Sequence, residues 1–152
     1  MRDNAEFIKN YYGLAFNYCA DGARIDPNKI DLELRLIEES NINDLLLIKW
    51  WNIVWWSISY QATVGRTMRY LIWDKGHNAL FGIFILQSPI LFLKPRDQYL
   101  NIPKEEHSRW INSGLTAQRI GALPPYNDLL GGKMVTMAIT SNEVRNDYLK
   151  KY

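Results

Sequence analysis

Cysteine is almost absent, with Cys19 the only one among 152 residues. A single cysteine excludes an intrachain disulfide and the CxxC pairs of common zinc sites. Histidine is nearly as scarce: His77 and His107 lie far apart in the chain and give neither a triad nor a metal-ligand spacing. A charge excess is missing too. Lys and Arg number 18 against 16 Asp and Glu, a net charge of +2, so contact with nucleic acid would have to come from a local patch. The longest apolar stretches, LLLIKWWNIVWW (45–56) and LFGIFIL (80–86), are too short or too interrupted to span a bilayer. The opening MRDNAEFIKNYYG lacks the apolar core of a signal peptide. A cytoplasmic protein without a bound metal is the expectation.

What is present is a globular composition, 47% apolar and 22% charged, in a chain long enough for one hydrophobic core. Residues 3–20 carry Phe7, Ile8, Tyr11, Leu14, Ala15 and Tyr18 at spacings of one helical face. Asp26 and Pro27 then suit a helix start, and Ile30, Leu34 and Ile37 predict a second helix over PNKIDLELRLIEES. A third follows over residues 40–59, with Asn41 or Asn43 near its cap. Its KWWNIVWW run could stack bases or sugars, but aromatic residues at helical spacing more often fill a core.

After Gly65 the period changes from helical to alternating. TMRYLIWD and ALFGIFILQ flank the turn Lys75-Gly76-His77-Asn78, which predicts a hairpin of 67–74 with 79–87. Met68, Tyr70 and Ile72 lie on one face, with Arg69, Leu71 and Trp73 on the other. A polar excursion with a short helix near 104–111 leads to a strand at 115–123, and LPPYNDLLGGK (123–133) opens a helix. Ser141 caps the last helix. The chain divides into an N-terminal helical region, 1–64, and a sheet-and-helix region, 65–152.

The stretch 123–133 has two readings. It is ordinary loop punctuation, or it is a phosphate-binding helix start, where unpaired backbone N–H groups and the helix dipole favour an anion. The GxxxxGK[ST] spacing of a P-loop is absent. The order of hairpin, strand, glycine turn and helix resembles the GNAT acyltransferase superfamily, whose corresponding turn cradles the coenzyme A pyrophosphate. That likeness implies an α/β (α+β) fold with a GNAT-like, largely antiparallel sheet and acyl-CoA as cofactor. The residues placed to hold it are Ala122, Leu123, Leu130, Gly131, Gly132 and Lys133.

A more specific likeness lies in the words GRTMRYLIWD (65–74), SPILFLKPRD (88–97) and IGALPPYNDLLGGKMVTMAITSNEVRNDYLKKY (120–152). Together they resemble the DruA-like family, named for a component of the Druantia anti-phage systems, whose members also occur in mobile elements and prokaryotic viruses. The likeness covers about residues 25–152, and PPY-x-x-LLGGK and S-x-EVR are its most specific words. Two departures stand out. The chain reads QSP and QYLNIP where the family has an Asp and an Ile-Gly-Trp, and it stops before a Thr-rich strand and a Gly-Ser-Ser-x-Tyr-Asn motif. In a GNAT-like fold that part would supply the strand beside 115–123, so the sheet is expected to be completed by a partner chain or to stay incomplete.

Arg66, Arg69, Arg96 and Tyr126 are the candidates for contact with nucleic acid or another acceptor. Arg96 with Asp97 also reads as a local ion pair, and Tyr126 as a residue packed under its prolines. His107, in a charged segment, is expected in solvent. No general base stands out. Two functions are open: an acyl-CoA-dependent transferase, or a non-catalytic, nucleic-acid-binding subunit of a larger defence complex.

Overall fold

The structure, a computed structural model, describes residues 2–57 and 64–152. It is a mixed α/β fold around one four-stranded antiparallel sheet in the order β1-β2-β3-β4. The strands are β1 (Leu32–Leu36), β2 (Thr67–Asp74), β3 (Ala79–Gln87) and β4 (Thr116–Ala122). β1 and β4 form the two edges. Helices α1 (Arg2–Phe16) and α2 (Ile42–Val54) precede the hairpin, α3 (Lys94–Tyr99) and α4 (His107–Asn112) lie in the excursion, and α5 (Gly131–Ala138) and α6 (Asn142–Lys151) follow β4.

The alternation in β2 sorts the core into two layers. Leu71 and Trp73 point toward α1 and α2, where they meet Ile83, Ile85, Leu47, Ile48, Trp50 and Trp51. Met68, Tyr70 and Ile72 point to the other face and meet Phe81, Phe84, Tyr126, Val135 and Val144. Burying each large apolar side chain contributes about 1.5–3 kcal/mol before the cost of ordering the chain. The expected hairpin forms with Thr67 opposite Gln87 and Asp74 opposite Ala79. Ser141 caps α6 by accepting from the Val144 N–H at 3.4 Å. Asn41 caps α2 in the same way, accepting from Asp44 N–H.

The second expected helix is overturned. Asp26 and Pro27 start only a short 3-10 turn, Pro27–Lys29, and the following residues form β1 paired with β2. Leu32, Leu34 and Leu36 alternate onto the α5–α6 face, while Arg35 lies over Trp73 at 5.1 Å on the other. The pairing partner, 34 or more residues downstream, decides between two periods that the local sequence satisfies equally. The Trp-rich helix is core only in part: Trp50 and Trp51 are buried, Trp55 is 38% exposed. The last residues of its expected span, 58–59, lie outside the described residues.

β4 carries an irregularity near its start. Arg119 pairs with Ile85 but Ala117 with Leu86, so Gln118 is an extra residue that bulges the strand. Bulges bend an edge strand and re-aim the side chains beside it.

Candidate functional site

Beyond β4 the chain still belongs to the sheet for one residue, since Leu123 N–H donates to the Phe81 carbonyl at 2.9 Å. A cis Pro124–Pro125 bond then turns it into a 3-10 segment, Tyr126–Leu129. Leu130 adopts a left-handed conformation, φ 60°, and α5 starts with no side chain capping it. The strand–turn–helix order read from the sequence is therefore present.

The two glycines at its centre differ. A Cβ on Gly131 would lie 2.5 Å from the Tyr126 carbonyl oxygen and 2.8 Å from the Ala122 Cβ. Gly131 is a glycine because the helix start presses against the turn and β4. A Cβ on Gly132 would meet nothing within 4 Å. Lys133 beside it is exposed, as is Leu130 at 79%. Ala122 and Leu123 are buried and form the wall behind the turn.

Tyr126 is wholly buried, and its hydroxyl donates to Asp74 Oδ2 at 2.8 Å. Asp74, also buried, is the centre of a network that closes this end of the sheet. Its Oδ1 accepts from the N–H groups of Asp31 at 3.1 Å and Gly76 at 3.0 Å, and its Oδ2 contacts His77 Nδ1 at 2.7 Å. His77 Nε2 accepts from Asp26 N–H at 3.1 Å, so the ring proton sits on Nδ1. An Asp–His–Tyr trio suggests chemistry, but both ring nitrogens and both carboxylate oxygens are occupied. The trio is a fastening. Burial works to raise the Asp74 carboxyl, and the Asp31 N–H, Tyr126 and His77 outweigh it, holding it below the usual carboxylate value. Burial, then Asp74, pushes the Tyr126 hydroxyl well up.

The candidate arginines separate. Arg66 is committed inside the fold: Nη1 donates to the Asn112 carbonyl at 2.7 Å and contacts the Tyr148 hydroxyl, and Nη2 reaches the Ile111 and Gly114 carbonyls at 3.3 Å. It joins the start of β2 to α4 and α6. Arg96 forms the local ion pair with Asp97, Nη2 to Oδ1 at 2.6 Å, and Nη1 donates to the Ile90 carbonyl at 2.8 Å. Arg69 alone of the three has a side chain with no hydrogen bond or ion pair among the described residues; it borders a pocket on the α1–α2 face. His107 departs from expectation, for its side chain is only 12% exposed. It stacks on Phe92 at 4.9 Å and contacts Asp97 Oδ2 at 3.2 Å. Burial acts to raise Asp97, but Arg96, His107 and the Leu93 N–H hold it low.

Sequence reasoning missed the Asp74–His77–Tyr126 contacts. Asp at a strand end, His in a turn and Tyr after two prolines were each visible, but nothing local links residues 52 positions apart. Among the described residues no group of three or more His, Cys, Asp or Glu is placed to hold a metal ion. Nor is any helix among them long and apolar enough to cross a membrane.

Comparison with known proteins fits this arrangement. No solved structure matches the chain. The Druantia protein DruA of Escherichia coli (strain UMEA 4076-1) is 29% identical over 150 residues, which cover 98% of this chain. The chain spans 36% of that relative's length. A family profile described as Druantia protein DruA matches residues 2–152, a span that holds both the strand–turn–helix and its buried fastening, and the chain belongs to the DruA family.

Proposed function

We propose that the chain is a component of prokaryotic anti-phage defence or of a mobile element, and that its β4–α5 turn holds the pyrophosphate of an acyl-CoA. The transferase reading has the acyl group pass from the thioester to nucleic acid or a related acceptor. The acceptor–acyl bond forms as the C–S bond breaks, and the acceptor's proton passes to the departing CoA thiolate. Its support is the order of β1, α2, three antiparallel strands, turn and helix, which is similar to a GNAT core.

One observation carries it. Glycine inside a helix costs about 1 kcal/mol relative to alanine, and packing explains that cost at Gly131 but not at Gly132, whose Cβ position is open. An anion lying close over the first-turn N–H groups is what an absent Cβ there would serve. Positioning and backbone contacts to a developing oxyanion suffice for acyl transfer without a strong general base.

Calorimetric titration with acetyl-CoA tests this. Micromolar binding is expected for the chain, weakened at least tenfold in Gly132→Glu, which sets a carboxylate on the phosphate position. Equal binding by the variant overturns the reading.

The second reading is a non-catalytic subunit of a larger defence complex. It is favoured by an apolar strip at the start of α5, where the preceding Leu130 with Met134 and Met137 are 79%, 48% and 59% exposed, together with the outer edge of β4, unpaired among the described residues, a template for strand addition. Sedimentation is expected to show association that rises with concentration. A monomer at all concentrations counts against it.

A further inference from the structure

We infer that the polar excursion between β3 and β4 holds a second site, in which His107 acts as general base to cleave single-stranded RNA at a ribose 2′-hydroxyl. It rests on no part of the acyl-CoA reading. A pocket of about 890 Å³ opens there, with Phe92, Lys94, Asp97, Asn101, Lys104 and His107 among its lining.

The two histidines of the chain differ in what their rings have left to offer. At His77 both ring nitrogens are taken. At His107 only one is. The Asp97 carboxylate is fixed by Arg96 and by the Leu93 N–H. Being ionised, it can only accept, so the ring proton sits on Nε2, 3.2 Å from Asp97 Oδ2. Nδ1 is then the basic nitrogen, and it has no hydrogen bond among the described residues. Nor is it closed off, since it is not one of their buried side-chain atoms lacking a partner. A carboxylate on one ring nitrogen and an open acceptor at the other make an imidazole a general base. Phe92 stacks on the ring at 4.9 Å and 11° and fixes its plane.

The surroundings of the base select the substrate. No serine, threonine or cysteine lines the pocket, so the attacking oxygen is not the protein's. Lys94 and Lys104 are exposed and have no carboxylate partner among the described residues, which suits an anion. Glu105 and Glu106 follow Lys104 but do not line the pocket. Phe92 is 74% exposed, so the face of its ring away from His107 is open to a stacked base. A ribonucleotide phosphodiester supplies the anion, the flat base and a hydroxyl of its own, the group that distinguishes RNA from DNA. That hydroxyl already lies beside the phosphorus, an advantage of proximity over water.

His107 Nδ1 takes the proton of the 2′-hydroxyl as that oxygen attacks phosphorus. The 2′-O–P bond forms, the P–O5′ bond breaks, and the departing 5′ oxygen takes a proton from water. The hydroxide left behind recovers the proton from His107. The products are a 2′,3′-cyclic phosphate and a free 5′-hydroxyl. The two lysines hold the charge that gathers on the phosphate oxygens.

The test incubates the whole chain, with EDTA throughout, with a labelled RNA oligomer, its 2′-O-methyl counterpart and the DNA of the same sequence. The RNA is expected to be cut to fragments ending in a 2′,3′-cyclic phosphate, and the other two to stay whole. His107→Ala is expected to slow cleavage at least about 100-fold. Added imidazole is expected to restore part of that rate, which a purely structural loss would not allow. Lys94→Gln combined with Lys104→Gln, both on exposed side chains, slows cleavage at least about tenfold and carries the test if His107→Ala fails to fold. The inference is overturned if the RNA stays whole, if the 2′-O-methyl RNA is cut as fast, or if the variants cut as the parent does.

Discussion

Asp74→Ala lowers the stability of the chain by about 3–5 kcal/mol, the usual result of removing one member of a buried charged network. The size follows from what is left behind. Asp74 is fully buried, and without it the Tyr126 hydroxyl, His77 Nδ1–H and the N–H groups of Asp31 and Gly76 all lose their acceptor. Against the 5–15 kcal/mol typical of a whole domain, that is a large fraction. The measurement is urea unfolding, read as a lower midpoint at unchanged slope. Asp74→Asn is expected to cost less, about 1–3 kcal/mol. It keeps the oxygen facing the two backbone donors, and the Tyr126 hydroxyl can rotate to accept. His77 cannot follow by moving its proton to Nε2, because that nitrogen already accepts from Asp26 N–H. A fall of under about 1 kcal/mol in the alanine variant would falsify the claim that this network fastens the fold.

The same network sets a pH dependence. The Asp74 carboxyl is held below its ordinary value, so the unfolded chain binds its proton more readily than the folded one does. Its contribution is complete above about pH 4 and is lost as pH falls through the folded value. The Tyr126 hydroxyl is shifted upward, so its contribution is complete below about pH 10 and declines above that. The acid limb flattens in Asp74→Ala, while the alkaline limb, which owes more to burial than to Asp74, is only reduced.

Gly131→Val is expected to cost about 3 kcal/mol, at the upper end of ordinary overpacking. The atoms in the way are the Tyr126 carbonyl oxygen, the Ala122 Cβ and, at 3.1 Å, the Phe81 ring. The first belongs to backbone pinned by the buried Tyr126 and cannot step aside. Gly132→Ala, one residue on, is expected to raise stability by about 0.5–1 kcal/mol through helix propensity alone. Thermal melts of the two variants check the contrast, and shifts of equal sign would show that the glycines do not divide into a packing residue and a ligand-facing one.

How much of this was legible in sequence depends on the range of the interactions. The β2–β3 hairpin announced itself because alternation and turn residues sit within about twenty residues of one another. The caps Asn41 and Ser141 were readable for the same reason. β1 was not, since Ile30, Leu34 and Ile37 mark a helical face while Leu32, Leu34 and Leu36 mark a strand face in the same residues. Only the distant partner β2 selects between them. The site divides likewise. The turn and its glycines were visible, but the burial that makes Gly131 structural depends on Phe81 from another strand. Arg66 and Arg96 look available in sequence and are occupied by carbonyls and a carboxylate that no spacing rule reveals.

The fastening at the hairpin end also bears on how the molecule opens. The amide protons of Asp26, Asp31 and Gly76 lie outside regular helix or strand, where exchange with solvent is ordinarily quick. Each is nevertheless held, directly or through His77, by the cluster around Asp74. None can be released unless the segment before β1, the β2–β3 turn and the diproline turn part company together. These three amides should therefore exchange as slowly as those of the central strands, making one end of the sheet a single cooperative unit. Any breathing of the sheet is left to the opposite end, where β4 bulges at Gln118.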